Sequence, residues 1–394
     1  MSPLAGLLLA IIYISFISLG LPDALLGAAW PIMQVELSVP VSYAGGISLI
    51  IAIGTVISSL QADRLIKWLG TGKIMVISAA MTAVSIFGFS VSNTYCQLCL
   101  WAIPYGLGAG CVDACLNNYV AIHYASRHMS WLHCMWGLGA SIGPYIMGAA
   151  LTGGLSWNMG YGIISVLQLI LTGVLLFSIP LWKRQKGKLQ ENASKAPLTM
   201  KQIVAIPGAR EVMLAFFCYC ALEQTAILWG SSYLVIHDGM QEELAASLAS
   251  LYLMGLTLGR WLNGFLTYKI SDTNLIRLGQ ALIAVGIVIM FLPLGPMASF
   301  AGLLLTGLGS APIYPCIIHS TPEHFGEENS QALIGVQMAS AYVGICVMPP
   351  LFGLVARFLS TSLLPWYLAA ILAVMVVMCE QLTRKTRGKT GENQ

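Results

Sequence analysis

The chain has 394 residues, of which 57% are hydrophobic and 9% are charged, with a formal net charge of +3. Soluble domains carry about 25% charged residues, so this composition cannot cover a water-facing surface and excludes a soluble enzyme. The small net charge and the scattered basic residues also exclude a nucleic-acid-binding face, which needs clustered lysine and arginine. The lipid bilayer is the solvent that fits, and the chain is predicted to be an all-α membrane protein.

Twelve apolar runs are long enough to span a membrane, since one span needs about 20 mostly apolar residues. In chain order, the first set covers 4–30, 41–62, 73–91, 95–121, 129–153 and 159–182. The second set covers 209–236, 244–267, 274–292, 297–320, 328–356 and 362–382. We call these predicted spans 1 to 12. The first lacks the basic region that precedes a cleaved signal sequence, so it is predicted to be a span itself.

One long polar stretch, KRQKGKLQENASKAPLTMKQ, separates the two sets. This stretch divides the chain into four predicted parts. They are an N-terminal six-helix bundle (1–182), a cytoplasmic linker (183–208), a C-terminal six-helix bundle (209–383) and a cytoplasmic tail (384–394).

Lysine and arginine concentrate after the even-numbered spans, in the linker and at the C-terminus, as Arg64 and Arg127 illustrate. The positive-inside rule puts such junctions in the cytoplasm, so both termini are predicted to be cytoplasmic. The junction after span 10 is an exception, because it holds Glu323, Glu327 and Glu328.

The two halves resemble each other at a nearly constant offset. GLGAGCVDACLNNYVAIHY in span 4 aligns without gaps with GLGSAPIYPCIIHSTPEHF in span 10, and GPYIMG (143–148) pairs with MPPLFG (348–353). Asp23 in span 1 falls opposite Glu223 in span 7. Parallel repeats of this kind place a substrate site near the membrane midplane. The predicted fold is therefore two six-helix bundles related by a pseudo-two-fold axis.

The ionisable groups assigned to the interior of the spans are Asp23, Asp113, His133, Glu223 and His319. A charge at the centre of a membrane helix costs roughly 2.5–3.5 kcal/mol, so each group needs a partner, a wet cavity or a proton. No basic residue inside the spans is expected to neutralise Asp113, and burial favours a neutral acid. Asp113 is therefore the predicted proton-binding residue, with a role in helix packing as the alternative.

Asn117 follows Asp113 by one helical turn and shares its face. Together they offer the donors and acceptors that sugar hydroxyls require. The further candidates for substrate binding or proton coupling are polar or aromatic residues of spans 5, 7, 10 and 11, for each of which helix packing is the alternative. They are His133, Glu223, Gln224, Tyr314 and Gln337.

Cofactor and metal sites are not predicted. The glycine runs lie within apolar helices, so pairs such as Gly139 with Gly143 indicate close helix packing rather than nucleotide binding. Cys96 and Cys99 form a lone CxxC without a second ligand pair. The histidines show no HExxH-like spacing, so a membrane-embedded enzyme is not expected.

The segment SSLQADRLIKWLGTGK (58–73) resembles the loop motif of the major facilitator superfamily. Under this resemblance, Asp63 and Arg64 correspond to gating charges at the cytoplasmic face. The counterpart GRWLNGFLTYK (259–269) keeps Arg260, which is assigned to the same gating role, but lacks an acidic residue.

Two further segments, GLGAGCVDACLN (106–117) and SWLHCMWGLGASIGP (130–144), resemble the fucose-permease-like branch of that family. The protonatable acid of the branch falls on Asp113, and its sugar-binding acid falls on Asp23. The resemblance implies proton-coupled uptake of a sugar or similar small polar solute by alternating access, in the cell membrane, and a monomer is expected. The segment GPYIMG (143–148) approaches the antiporter motif of drug exporters, so a proton-driven drug or metabolite exporter is the alternative.

Overall fold

The computed structural model describes residues 3–184 and 197–390, with side chains described for 5–182, 197–241 and 252–386. Within these ranges the regular structure is helical, without a strand. The helices of the N-terminal half are α1 (Pro3–Gly20), α2 (Leu25–Glu36), α3 (Tyr43–Leu69), α4 (Thr71–Ser90), α5 (Tyr95–His123), α6 (Ser126–Thr152) and α7 (Trp157–Arg184). Those that follow are α8 (Met200–Ala205), α9 (Ala209–Ile236), α10 (Glu242–Leu266), α11 (Asp272–Phe291), α12 (Pro296–Ser310), α13 (Ile313–His319), α14 (Thr321–Phe325), α15 (Glu327–Phe358) and α16 (Leu364–Thr390).

The predicted all-α membrane fold is confirmed. Among the described residues, 11 helical stretches are long and apolar enough to cross a bilayer. The remaining predicted span, 244–267, coincides with α10, which has 25 residues. At 1.5 Å per residue that helix extends about 38 Å, which exceeds a hydrocarbon core of about 30 Å.

Two predicted spans are interrupted instead of continuous. Span 1 is α1 followed by α2, with the break at Pro22, and span 10 is α12 followed by α13, with the break at Pro312. Proline has no backbone N–H and its ring clashes with the preceding turn, so it interrupts the helical hydrogen bonds. The break in span 1 places Asp23 on a short turn between two helices.

The chain forms two compact units by its internal contacts. The first contains the chain up to Asn117 and resumes at Leu132, whereas the second contains Asn118–Trp131 and the chain from Leu198 onward. The sequence assigns residues 118–131 to the N-terminal bundle, and the predicted division into two bundles and a linker stays a prediction. Residues 185–196 of the predicted linker lie outside the described residues.

The C-terminal helix is longer than predicted. α16 continues to Thr390, so the first part of the predicted tail is helical. Lys385 Nζ lies 2.6 Å from Glu211 Oε1 of α9, and this ion pair ties the end of α16 to the start of α9.

Glycines bring α1 and α6 into close contact within the first unit. A Cβ atom on Gly139 would overlap the backbone oxygen of Ile17, and one on Gly143 would overlap that of Leu21. Gly20 of α1 in turn approaches the backbone of Trp136. The packing role predicted for Gly139 and Gly143 is confirmed, since only residues without a side chain allow helices to approach this closely.

Candidate functional site

The first acid of the candidate site, Asp23, lies in the break between α1 and α2. Its Oδ1 accepts a hydrogen bond from the Tyr105 hydroxyl at 3.1 Å, and its Oδ2 accepts one from Trp136 Nε1 at 2.8 Å. Asp23 is nevertheless exposed. A carboxylate has about four lone-pair sites, so Asp23 is held in place and can still accept hydrogen bonds from a solute.

The glycine contact between α1 and α6 explains this arrangement. Gly20 precedes the break that carries Asp23, and it touches the backbone of Trp136. The indole of Trp136 therefore reaches Asp23 because no side chain separates the two helices at this point. Tyr105, buried on α5, supplies the second donor.

The second acid, Asp113, is buried and belongs to a hydrogen-bonded chain. Asp113 is 7%, Asn117 0% and His133 5% exposed. Asn117 Nδ2 donates to Asp113 Oδ1 at 2.8 Å, and Asn117 Oδ1 lies 3.0 Å from His133 Nε2. Because an amide oxygen only accepts, His133 Nε2 carries the hydrogen in this chain. The protonation state of Asp113 is thereby linked through one amide to a histidine on the neighbouring helix.

The two acids of the first unit influence each other. Both carboxyl groups belong to the same compact unit, and two like charges in apolar surroundings repel each other. The pair can therefore hold one charged carboxylate and one neutral acid more easily than two charges.

In the second unit, Glu223 is bound by a tyrosine and an arginine. Its Oε2 accepts a hydrogen bond from the Tyr219 hydroxyl, and Arg260 Nη2 lies 3.4 Å from the same oxygen. Arg260 is 3% exposed, and its guanidinium carbon lies 6.0 Å from the centre of the Tyr314 ring. The rings of Phe216 and Tyr314 are 4.7 Å apart. The result is an ion pair between a buried arginine and a half-buried glutamate, with aromatic side chains beside it.

This ion pair corrects one premise of the sequence analysis. Arg260 is a basic residue in the interior of α10, so the spans do contain a buried cation. The sequence motif placed Arg260 among gating charges because the match was judged along the chain. The contact with Glu223, which is 37 residues away, is visible only in the tertiary structure.

The other predicted residues have local contacts. Gln337, 0% exposed, donates from Nε2 to Thr321 Oγ1 at 3.0 Å and so links α15 to α14. Gln224 is half-buried beside Glu223.

Of the predicted gating charges in α3, Asp63 forms an ion pair at 2.9 Å with Lys67 one turn later. Arg64 Nη1 lies 3.5 Å from Gln61 Oε1 at an exposed position. Both contacts lie within α3, so the gating role of Asp63 and Arg64 stays a prediction.

Tyr105 and Trp136 were not among the predicted site residues. Trp136 lies three residues after His133, hence on the same helical face, and this spacing was the signal available for it. Tyr105 had no comparable signal, because its partner Asp23 is 82 residues away.

The sequence matches the family described as Major Facilitator Superfamily over residues 12–349 and 212–393. It is 21% identical over 409 residues to Bypass of stop codon protein 6 of Saccharomyces cerevisiae, covering 94% of this chain and 81% of that protein. It is 21% identical over 273 residues to the glucose/mannose transporter GlcP of Bacillus subtilis, covering 65% of each protein. It is 23% identical over 264 residues to the 3-(3-hydroxy-phenyl)propionate transporter of Escherichia coli, covering 64% of this chain and 61% of that protein.

Solved structures share the fold at low sequence identity. The fucose:proton symporter FucP of E. coli superimposes with a TM-score of 0.76 at 16% identity, over 95% of this chain and 98% of that one. The proton:xylose symporter XylE gives a TM-score of 0.77 at 12% identity, over 94% of each chain. These likenesses confirm the predicted two-bundle fold. With the family match, they identify the chain as a member of the major facilitator superfamily, and thus as a membrane transporter and not an enzyme.

Proposed function

We propose that this protein is a proton-coupled symporter that takes up a sugar or a similar small polar solute across the cell membrane by alternating access. The observation that carries the proposal is the arrangement of two acids in the first unit. Asp23 is exposed and held by two donors, whereas Asp113 is buried and bonded to Asn117. Asp23 is therefore suited to bind a solute, and Asp113 is suited to bind a proton.

Solute binding is assigned to Asp23 and Trp136. The free lone pairs of the Asp23 carboxylate accept hydrogen bonds from solute hydroxyls. The Trp136 indole, fixed by its bond to Asp23 at 2.8 Å, offers an apolar plane with a polar edge. Such a plane suits the apolar face of a pyranose ring.

Proton coupling is assigned to Asp113. Protonation of Asp113 removes a negative charge that opposes the charge on Asp23, so Asp23 remains ionised and accepts solute hydroxyls. Solute binding at Asp23 in turn favours the proton on Asp113, because coupling between two sites is reciprocal. The hydrogen bonds of Asn117 with Asp113 and with His133 transmit the change in the protonation of Asp113 to α6. The fold is shared with two proteins described as proton symporters, which supports this assignment.

A second candidate substrate is a small aromatic carboxylate. It is favoured by the buried guanidinium of Arg260 among aromatic rings and by the relative that transports 3-(3-hydroxy-phenyl)propionate. Glu223 already neutralises Arg260, so a carboxylate would have to displace it. This competition makes a neutral polar solute the better candidate.

Uptake into proteoliposomes tests the proposal. Labelled sugars and 3-(3-hydroxy-phenyl)propionate are offered with and without an inward proton gradient, and with a protonophore. We expect a sugar to accumulate only when the gradient is present. Accumulation of the carboxylate but of no sugar would overturn the substrate assignment, and gradient-driven efflux instead of uptake would favour the exporter.

A further inference from the structure

A histidine and an aspartate of the second unit hold the residues that join α5 to α6. His319, the last residue of α13, has its Nδ1 2.6 Å from Oδ2 of Asp272, the first residue of α11. Its Nε2 lies 3.1 Å from the backbone oxygen of Tyr124. The Ser126 hydroxyl donates to Oδ1 of Asp272 at 2.5 Å. Residues 118–131, which we call the docked segment, are therefore held by the His319–Asp272 pair.

Both neighbours of the His319 ring are acceptors. A carboxylate oxygen and a backbone carbonyl oxygen carry no hydrogen, and a neutral imidazole has one N–H group. In neutral His319, the ring nitrogen without a hydrogen would direct its lone pair at an acceptor oxygen, which is unfavourable. Beside a charged Asp272, only the imidazolium form donates to both Asp272 and Tyr124, so this geometry favours a proton held by the His319–Asp272 pair.

The surrounding groups are compatible with this charge. Glu323, one turn beyond His319, adds a negative charge, and the Cys316 thiol faces Asp272. Burial lowers the pKa of the nearby His324, which disfavours a second positive charge beside His319. The side chains of His319 and Asp272 are 21% and 13% exposed, so protons from solvent can reach the pair.

The segment contains two further histidines, His123 and His128, whose rings pack on Tyr119 and Trp131 of the segment itself. Two other contacts join the segment to residues 263–268, and neither depends on pH near neutrality. Asn263 Nδ2 donates to the Ser130 hydroxyl at 2.7 Å. The Arg127 guanidinium carbon lies 5.0 Å from the centre of the Tyr268 ring. Amides, hydroxyls and guanidinium groups keep their protonation between about pH 5 and about pH 8, whereas imidazole does not. His319 is therefore the pH-dependent member of this set of contacts.

We propose that His319 and Asp272 form a proton-binding site that fastens the docked segment when His319 is protonated and releases it when the proton leaves. The inference rests on the proposed function, because alternating access requires this end of the carrier to open and close. In the predicted topology the pair faces the cytoplasm. Protons delivered by uptake would then hold the segment in place, so that acidification of the cytoplasm slows further uptake.

Spin-label distance measurements on the full chain in nanodiscs test the inference without substrate or gradient. The labels are placed at Ala125 of the docked segment and at Lys269 between α10 and α11, both exposed, after replacement of the 10 native cysteines. We expect one short distance at about pH 5.5 and a second, longer distance that grows toward about pH 8. The ratio of the two populations should change by at most about tenfold per pH unit, since one proton is exchanged.

Three variants identify the responsible group. His319→Gln should give the same distance distribution at both pH values. Asp272→Asn should move the transition to lower pH, because the carboxylate that favours the imidazolium is lost. His324→Gln is the matched control, since it changes the neighbouring histidine and should respond as the wild type does.

Two results would overturn the inference. One is a wild-type distribution that is identical at both pH values, and the other is a wild-type response in His319→Gln. Labelling of the histidines with ¹⁵N and NMR of the chain with its native cysteines gives a second measurement, in which both ring nitrogens of His319 should carry hydrogen at about pH 5.5. Because neither measurement involves transport, failure of the sugar-uptake test and failure of this inference are distinguishable.

Discussion

Asp23 and Asp113 are both acids within apolar spans, but their surroundings differ. Asp23 is exposed on a helix break with two hydrogen-bond donors, whereas Asp113 is buried on α5 and bonded to an amide. A coupled carrier needs both properties, because one carboxylate must stay charged for the solute while the other gains and loses a proton. Solute binding and proton coupling are therefore assigned to two different acids, Asp23 and Asp113.

Replacement of the buried acid tests the coupling role. Asp113→Asn keeps the shape of the side chain and mimics its protonated form, so uphill uptake should be abolished while solute exchange continues near the wild-type rate. Exchange needs no net proton movement. Both are measured in proteoliposomes, with Asp238→Asn, just after α9, as the matched control. Wild-type accumulation by Asp113→Asn would assign coupling to another group, with Glu223 the next candidate.

Replacement of the exposed acid tests the binding role. Asp23→Asn removes a charged acceptor, and hydrogen bonds to charged groups contribute about 1.5–3 kcal/mol. Solute affinity should therefore fall by roughly 10- to 150-fold, and exchange should fall together with uptake. Equilibrium binding to the purified protein measures this loss. An unchanged dissociation constant would remove Asp23 from the site.

Because His324 is a buried histidine, we expect the stability of the folded protein to depend on pH. Its position on α14 is outside the membrane spans, and burial lowers its pKa below the ordinary value of 6.5. As the pH falls through 6.5, the unfolded chain binds this proton before the folded protein does, so stability declines on the acid side.

Thermal unfolding in detergent at a series of pH values measures this effect. His324→Gln should flatten the decline, because it removes the buried titrating group. His237→Gln, at an exposed position, is the control. An equal acid-side decline in His324→Gln and wild type would contradict the prediction.

At the scale of elements, the contact between α1 and α6 positions the site. A Cβ atom on Gly143 would overlap the backbone oxygen of Leu21, which cannot rotate away, whereas a Cβ atom on Gly148 meets nothing within 4 Å. Gly143→Ala should therefore separate the two helices and move Trp136 from Asp23, at a cost of about 1–3 kcal/mol in stability.

The matched substitution Gly148→Ala should leave stability unchanged or slightly improved, because alanine favours helix more than glycine does. Unfolding midpoints and solute affinity of the two variants are compared. Equal affinity in both would show that close approach of α1 and α6 is not needed for binding.

At the scale of the whole molecule, the distribution of lysine and arginine predicts the topology. In a cysteine-depleted background, a cysteine at position 190 or 390 should react with a membrane-impermeant reagent only from the cytoplasmic side. Asn93→Cys, exposed between α4 and α5, should react from outside. Strong external labelling at position 190 or 390 would contradict twelve spans with both termini inside.

The sequence by itself determined the class of protein, the number of spans and the duplicated halves. These follow from hydropathy and from spacing along the chain, which are properties of neighbouring residues. The pairing of Asp113 with Asn117 belongs to the same category, because a spacing of four residues places two side chains on one helical face.

Only the tertiary structure decided which distant side chains meet. Trp136 is 113 residues from Asp23, and His319 is 47 residues from Asp272. The tertiary structure also shows that Arg260 pairs with Glu223 and that residues 118–131 belong to the second unit. Such contacts depend on how whole helices pack, on the glycines that let backbones approach and on the prolines that interrupt them. A one-dimensional pattern of hydrophobic residues specifies that a helix is buried, but not which polar side chain lies opposite another.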